Sequence, residues 1–332
     1  MHCVLKRVLN WNTPENSRSD MKLERGMVTV VIATHNRLEL LKRGVESIKN
    51  QTYPNWELLI VDDHSVDGTW EWLQEIRDKR IRVFRQQDDY ERSAARNRGI
   101  EESRGELIMF LDDDDTLYPR ALDVLAPPLL SAPESVASIG ARHKREIDGR
   151  LYKVPHVRKP SKGMVWRDVL TGGMSISGQT LFRNPKGNPV ARFDPVLETC
   201  EDRDFLIRRT YEGPVFLLPE PVVEILQHAG QTHAVDPFPI RDRVHRKFMR
   251  DTLKGIRLAT AMPLFWAERA VRNGIRAHSY EKYMTAFLWS LFALILAPRI
   301  VLRPMHRAVH IQRLLRAARN SLFGSKPKEQ WK

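Results

Sequence analysis

Four consecutive aspartates, Asp112 to Asp115, follow directly on the apolar run "GELIMFL" (105–111). Adjacent carboxylates repel one another, and packing offers no reason to group them. Two explanations are open: an acidic surface turn, or a divalent-cation site at the end of a buried strand. Among the other acidic pairs of the chain, Asp62–Asp63 follows "WELLIV" and Glu201–Asp202 lies inside "CEDRDFLIRR". Thr34, His35, Asn36 and Arg37 follow a third apolar run, and Arg92 and Arg96 precede the aspartates.

Elements of definite spacing must carry these residues. "MVTVVIAT" (27–34) is a β-branched apolar run of the kind buried on both faces of a sheet. Residues 37–51 show helical apolar spacing at Leu38, Leu41, Val45 and Ile48. "WELLIVDD" (56–63) reads as a second strand, followed by a short helix that Thr69 can cap. "IRVFRQ" (81–86) is a third strand, 92–103 a helix and 105–112 a fourth strand. Strands alternating with helices imply parallel βαβ units and an open, doubly wound α/β sheet. Ligands of such sheets gather at the carboxyl ends of the strands. The polar sets fall there: Thr34 to Asn36 after the first strand, Asp62 and Asp63 at the end of the second, Asp112 to Asp115 at the end of the fourth. A shared site follows.

Beyond residue 135, strand-like pieces (135–146, 177–184, 214–220 and 221–229) surround one clear helix at 200–212. From 240 onward the pattern is helical, and "DPFPI" (236–240) marks a boundary. The expected division is a poorly ordered lead-in at 1–26, a catalytic domain at 27–238 and a basic helical tail at 239–332.

Of 332 residues, 42% are hydrophobic and 29% charged, a globular composition. Two cysteines, Cys3 and Cys200, make no disulfide framework and suit a reducing, cytosolic setting. The first 20 residues lack the apolar core of a signal peptide. The net charge of +13 is concentrated: residues 240–332 hold 20 Lys/Arg against 5 Asp/Glu, and the remainder is slightly acidic. "MTAFLWSLFALILAP" (284–298) is uncharged but short of the roughly 20 residues a spanning helix needs. Arginines then recur at 299, 303, 307, 313, 316 and 319. Basic residues beside Leu, Phe and Trp suggest a helix lying on anionic lipid, with a buried core helix or a homo-oligomer interface as the alternatives and nucleic acid disfavoured. No Gly-x-x-x-x-Gly-Lys-Ser/Thr loop, Gly-x-Ser-x-Gly elbow or zinc-type Cys/His spacing is present.

"VTVVIATHNR", "LLIVDDHSVDGT", "RSAARNRGIEESRGELIMFLDDDD" and "CEDRDFLIRR" together resemble the ordered motif series of the family 2 glycosyltransferases, which have the GT-A nucleotide-sugar fold. The resemblance covers roughly residues 27–232. It departs from the commonest pattern in "DDHS", where "DDGS" is frequent, and in having four aspartates. It implies an inverting transfer from a nucleotide-diphosphate sugar, UDP-linked by preference, to a saccharide or lipid-linked acceptor. Mn²⁺ or Mg²⁺ would bridge the phosphates. In the Asp-x-Asp pattern, Asp114 matches direct metal contact and Asp112 the ribose or metal; Asp113 and Asp115 are expected outside the metal's ligands, Asp115 with the alternative of capping the next helix. Asp62 and Asp63 match the base and ribose pair, and a carboxylate accepting the uracil imide proton underlies the UDP preference. Thr34, Asn36, Arg37, Arg92, Arg96 and Asp113 complete the expected donor site. Asp202 matches the base that deprotonates the acceptor, with Glu201 as the alternative. His228, in "LQHAGQTH", matches a histidine completing the metal site, and Gly172, Gly173, Ser175 and Ser177 lie where an acceptor wall is expected. A role in polysaccharide or glycolipid synthesis at the cytoplasmic face of the membrane follows from the resemblance and the tail together. The rivals are a sugar nucleotidyltransferase, whose Gly-rich loop "ATHNR" lacks, and a non-catalytic scaffold on the same fold.

Overall fold

The computed structural model describes residues 23–86, 92–154, 157–170, 177–188, 191–197, 199–227 and 237–253, with Ala261 and Trp266. The amino-terminal half alternates as the periodicity predicts: β1 (Glu24–Thr34), α1 (Leu38–Lys49), β2 (Trp56–Asp62), α2 (Thr69–Glu75), β3 (Ile81–Arg85), α3 (Arg92–Glu102) and β4 (Gly105–Asp112). Then come β5 (Thr116–Leu117), α4 (Ala121–Ser131), β6 (Ala137–Arg145), β7 (Leu151–Val154), β8 (Ser161–Gly163), α5 (Trp166–Leu170), β9 (Thr180–Arg183), α6 (Glu201–Glu212), β10 (Val215–Leu226) and α7 (Pro237–Thr252).

One ten-stranded sheet runs β3-β2-β1-β4-β9-β6-β10-β5, with β7 added to β6 and β8 to β10. The first four strands are parallel. β9 is antiparallel to both β4 and β6, and β10 is parallel to β6. Consequently β6 and β10 run in the direction of β4, and the carboxyl ends of β1, β2, β4, β6 and β10 share one rim. β2 is buried along its whole length, as its unbroken apolar run requires. One face of the sheet packs on α1 and α4; the other packs on α3, α6 and α7 around Phe110, Phe182, Phe193 and Phe205. Phe193 and Phe205 stack at 4.2 Å between centroids, and Phe110 meets Phe193 edge-on at 4.9 Å.

Four expectations need correction. β1 starts at Glu24, so the strand takes in part of the expected lead-in: Glu24 N–H donates to Arg104 O at 2.7 Å and Gly26 N–H to the Glu106 carboxylate at 2.9 Å. Thr69 is the first residue of α2 and not its cap; Gly68, at φ 90°, is the cap, and Asp67 supplies the acceptor. The pieces 214–220 and 221–229 form one strand, β10, whose register shifts on both sides of Pro221 because proline has no N–H for the ladder. The boundary near 238 is not a break in packing: Val244, Phe248, Met249 and Leu253 are buried, and Phe248 lies against Trp166 and Tyr211. Residues 1–22 and the 284–302 segment lie outside the described residues. No helix among the described residues is long and apolar enough to cross a membrane.

Candidate active site

β4 ends where its apolar side chains stop, and Asp112 to Asp115 turn the chain toward β5. The turn closes with Asp115 N–H donating to Asp112 O at 3.1 Å. The four carboxylates do not fan into solvent. Asp113 points back to β1, accepting from Thr34 Oγ1 at 2.9 Å and from Arg37 Nη1 at 2.9 Å. The same Arg37 nitrogen reaches Asp114 Oδ2 at 3.0 Å. Asp112 accepts from Arg96 Nη2 at 3.0 Å. Ser177 ties the turn to the neighbouring segment, donating to Asp115 Oδ2 at 2.8 Å while accepting from Asp112 N–H at 3.0 Å.

One oxygen from each of Asp112, Asp114 and Asp115 lies within 4.8 Å of the others. An all-oxygen carboxylate set suits Mg²⁺ or Mn²⁺. Asp115 is 2% exposed, and its Oδ1 has no hydrogen-bond partner, which leaves a buried acceptor in need of a cation or proton. The residues present therefore fit a divalent cation. Asp115 lies together with Asp112 and Asp114, where the sequence suggested a place outside the metal's ligands or a cap on the next helix; that helix, α4, starts only at Ala121 and has Arg120 at its cap position. Asp113 faces the first loop through Thr34 and Arg37. Burial, with Asp114 adding to it and Arg37 and Thr34 opposing, pushes Asp113 up to about 6. Burial, with Asp112 and Asp114 adding to it, also lifts Asp115 well above the usual carboxylate range.

The acidic helix α6 meets this turn through one side chain. Arg96, on α3, sends Nη1 to Glu201 Oε1 at 2.7 Å and Nη2 to Asp112 Oδ1 at 3.0 Å. It is 7% exposed. Burial opposes its charge, but Asp112, Glu201 and Asp202 outweigh that and hold its pKa above the ordinary arginine value. Arg96 can come this close because Gly99, one turn on, lets α3 lie against β1: a Cβ there would stand 2.3 Å from Val31 Cγ1. Arg96 is thus engaged by protein carboxylates, where the sequence placed it on the donor's base or phosphates. Glu201 is buried in this ion pair, whereas the half-buried Asp202 accepts no hydrogen bond from a described residue. The two neighbours differ in what they can do: Glu201 anchors α6, and Asp202 is open to an approaching hydroxyl. Asp204 pairs with Arg208 at 2.6 Å within the helix.

The remaining donor-side residues gather at the ends of β1 and β2. Asp62 is fully buried and spends its carboxylate on the turn, accepting from Ser65 N–H at 3.3 Å and facing Arg85 at 3.5 Å. Asp63 is also buried, and its N–H donates to Thr34 O at 2.9 Å. Asn36 joins the two loops, donating N–H to Ser65 Oγ at 2.9 Å and accepting from Val66 N–H at 2.8 Å. Asn36, His64 and Cys200 adopt left-handed φ of 52°, 62° and 63°, each at a turn bearing site residues. At His64 this explains why glycine suits the motif there. Arg92 opens α3 and is half-buried. His228, Gly172, Gly173 and Ser175 lie outside the described residues; Ser177 binds the aspartate turn. The sequence reading missed the roles of Asp115 and Ser177. The cue for Asp115 was its place as the fourth carboxylate in the run; Ser177, distant in the chain, had none.

Comparison with known proteins agrees with this geometry. Residues 29–186 match the family model described as glycosyl transferase family 2. Over 130 residues the chain is 34% identical to GalNAc(5)-diNAcBac-PP-undecaprenol beta-1,3-glucosyltransferase of Campylobacter jejuni, a match covering 38% of this chain and 41% of that protein. Over 89 residues it is 37% identical to UDP-Glc:alpha-D-GlcNAc-diphosphoundecaprenol beta-1,3-glucosyltransferase WfaP of Escherichia coli, covering 27% of this chain and 36% of that one. The chain thus spans less than half the length of these two relatives. The fold is similar to that of S. aureus TarS 1-349 in complex with UDP-GlcNAc, with a TM-score of 0.65 at 16% identity over 91% of this chain and 93% of that one. Residues 29–186, just under half of the chain, thus resemble glycosyl transferase family 2, and the architecture is that of the GT-A fold. Helix α6, with Glu201 and Asp202, lies beyond the matched residues.

Proposed function

We propose that the protein is a metal-dependent, inverting glycosyltransferase. It moves a sugar from a nucleotide-diphosphate donor, UDP-linked by preference, to a hydroxyl of a saccharide or lipid-linked acceptor. The observation that carries this reading is the Arg96 bridge, which brings the carboxylate cluster of β4 and the acidic start of α6 to one rim. Mn²⁺ or Mg²⁺ held by Asp112, Asp114 and Asp115, with His228 as a further candidate, would neutralise charge on the leaving diphosphate. Thr34, Asn36, Arg37, Asp63, Arg92 and Asp113 form the nucleoside side of the cleft, with Asp62 shaping its turn. Arg96 fixes Glu201, and Glu201 orients the first turn of α6. Asp202 then takes the proton of the acceptor hydroxyl as its oxygen attacks the anomeric carbon from the face opposite the departing diphosphate. The two relatives are named for diphosphoundecaprenol-linked substrates, which supports a lipid-linked acceptor and work at the cytoplasmic face of a membrane. The basic tail supplies peripheral contact there.

Thermal stabilisation across nucleotides and nucleotide sugars, with and without Mn²⁺, tests the donor site, because a ligand bound only by the folded state raises Tm. A metal-dependent shift with one nucleoside diphosphate, lost in Asp114→Ala, is expected. Asp202→Asn is expected to keep that shift while transfer falls by about 10²–10⁴-fold. An Asp202→Asn protein with wild-type turnover would remove the base assignment.

A further inference from the structure

The carboxylate cluster stands on β4, and cations flank it on both sides of the sheet order. On the β1 side the two arginines are already engaged: Arg37 with Asp113 and Asp114, Arg96 with Asp112 and Glu201. On the β6 side stands Arg142, which differs. Its Nη1 donates to the neutral Gln179 Oε1 at 3.1 Å, and that is its one hydrogen bond among the described residues. A guanidinium has five N–H donors in a planar fork. Four are unspent among the described residues, where Asp115 is the one carboxylate whose charge acts on this guanidinium and it forms no ion pair with it.

Its setting is also specific. Arg142 lies toward the carboxyl end of β6, opposite Val223 of β10, above the level at which β9 leaves the sheet at Thr180. Gln179 is held in turn, its Nε2 donating to Gly140 O at 2.9 Å. Two residues before it, Ser177 binds Asp115 and Asp112. Arg142 is therefore fixed beside the carboxylate cluster through Gln179 and the Ser177 turn. Burial holds its guanidinium below the ordinary arginine value, and only the attraction of Asp115 opposes this. A half-buried cation with a neutral partner and an unspent fork is a site for an oxyanion.

We propose that Arg142 is a phosphate-recognition residue, placed on the half of the cleft away from the nucleoside loops, where it binds a phosphate of the substrate entering beside the β4 aspartates. This deepens the glycosyltransferase reading and rests on it for the substrate's identity. Two substrates carry the chemistry: an acceptor bearing a phosphate or diphosphate, and the donor diphosphate itself. The position on β6, across β4 from β1 and β2, favours the acceptor.

The test compares wild type, Arg142→Gln and Arg142→Lys. Inorganic pyrophosphate is titrated against each in EDTA and followed by thermal shift, a readout independent of transfer. Saturable stabilisation of the wild type is expected, with affinity reduced about tenfold or more in Arg142→Gln and less in Arg142→Lys, which keeps the charge and loses the fork. Two further arms separate the sources. KM for a prenyl-diphosphate-linked saccharide is expected to rise about tenfold in Arg142→Gln, with KM for the same saccharide lacking phosphate unchanged. Affinity for UDP with Mn²⁺ is expected to stay near wild type; a tenfold loss there, with no change in acceptor KM, assigns the phosphate to the donor. Pyrophosphate affinity equal in all three proteins overturns the proposal and leaves Arg142 as a counter-ion to Asp115. Should Arg142→Gln fail to fold, Arg142→Lys carries the comparison. A wild type that shows no metal-dependent shift with any nucleoside diphosphate defeats the glycosyltransferase reading alone, since the pyrophosphate titration still reads Arg142.

Discussion

At the scale of single residues, the four aspartates of one turn have three different fates. Asp112 and Asp114 are half-buried and charge-paired, Asp113 is buried toward Thr34 and Arg37, and Asp115 is buried toward Ser177. Charge repulsion is relieved by splitting the run between two arginines, a hydroxyl from each side, and the place a cation would fill. The raised pKa of Asp113 has a consequence for stability. With a folded value of about 6 against an ordinary value of 3.8, the folded state binds the proton more tightly than the unfolded chain. The group's contribution is therefore complete below about pH 4 and lost as pH rises through about 6. The linkage amounts to on the order of 2–3 kcal/mol. Urea unfolding of the metal-free protein in EDTA should show this decline, and Asp113→Asn should flatten it between pH 4 and 6. An unchanged slope in the variant would assign the decline to other groups.

At the scale of elements, side chains from one loop set the start of another. Asp67 Oδ2 accepts from Leu38 N–H at 3.1 Å, and its Oδ1 accepts from Thr69 N–H at 3.1 Å and Thr69 Oγ1 at 2.6 Å. One carboxylate thus caps α1 and α2 together, satisfying N–H groups that neither helix can satisfy from within. Burial is the largest single influence and raises its pKa, but the hydrogen bonds from Thr69 and Leu38 together outweigh it and hold the pKa below the usual carboxylate value. Asp67→Ala should cost about 1 kcal/mol by chemical denaturation, with Asp67→Asn recovering part of it. A loss confined to a few tenths would show that water substitutes for the cap. The placement of α3 is a matter of close approach: Gly99 against Val31 brings the helix down on β1, and the reach of Arg96 to Asp112 follows from that contact.

At the scale of the whole molecule, the sheet gathers residues from β1, β2, β4, β6 and β10 onto one rim, and α6 approaches that rim through Arg96. The helix that opens the basic tail belongs to this body. Phe248 is 2% exposed and packs on Trp166 and Tyr211, and Leu253 is buried with it. Phe248→Ala should destabilise by about 3–5 kcal/mol, measured by urea unfolding, and a chain ending at residue 238 should lose solubility with the same surface uncovered. Wild-type stability in either would place α7 outside the catalytic body.

The sequence by itself determined the order of strands and helices through residue 112, because β-branched apolar runs and helical apolar spacing are local signals. It also determined which end of the sheet gathers the acidic and polar residues, since they cluster where each of those runs stops. Only the tertiary structure decided how the acids divide their work. The pairing of Arg96 with both Asp112 and Glu201, residues 16 and 105 positions away, depends on α3 and α6 meeting over β4. The entry of Asp115 into the carboxylate cluster depends on Ser177, 62 residues on. The place of α7 depends on an apolar face matched to α6, where the sequence showed helical spacing and an excess of positive charge but no partner for the helix. Burial and distance are properties of the packed chain, and they separate an anchoring acid from an open one when the residues stand side by side.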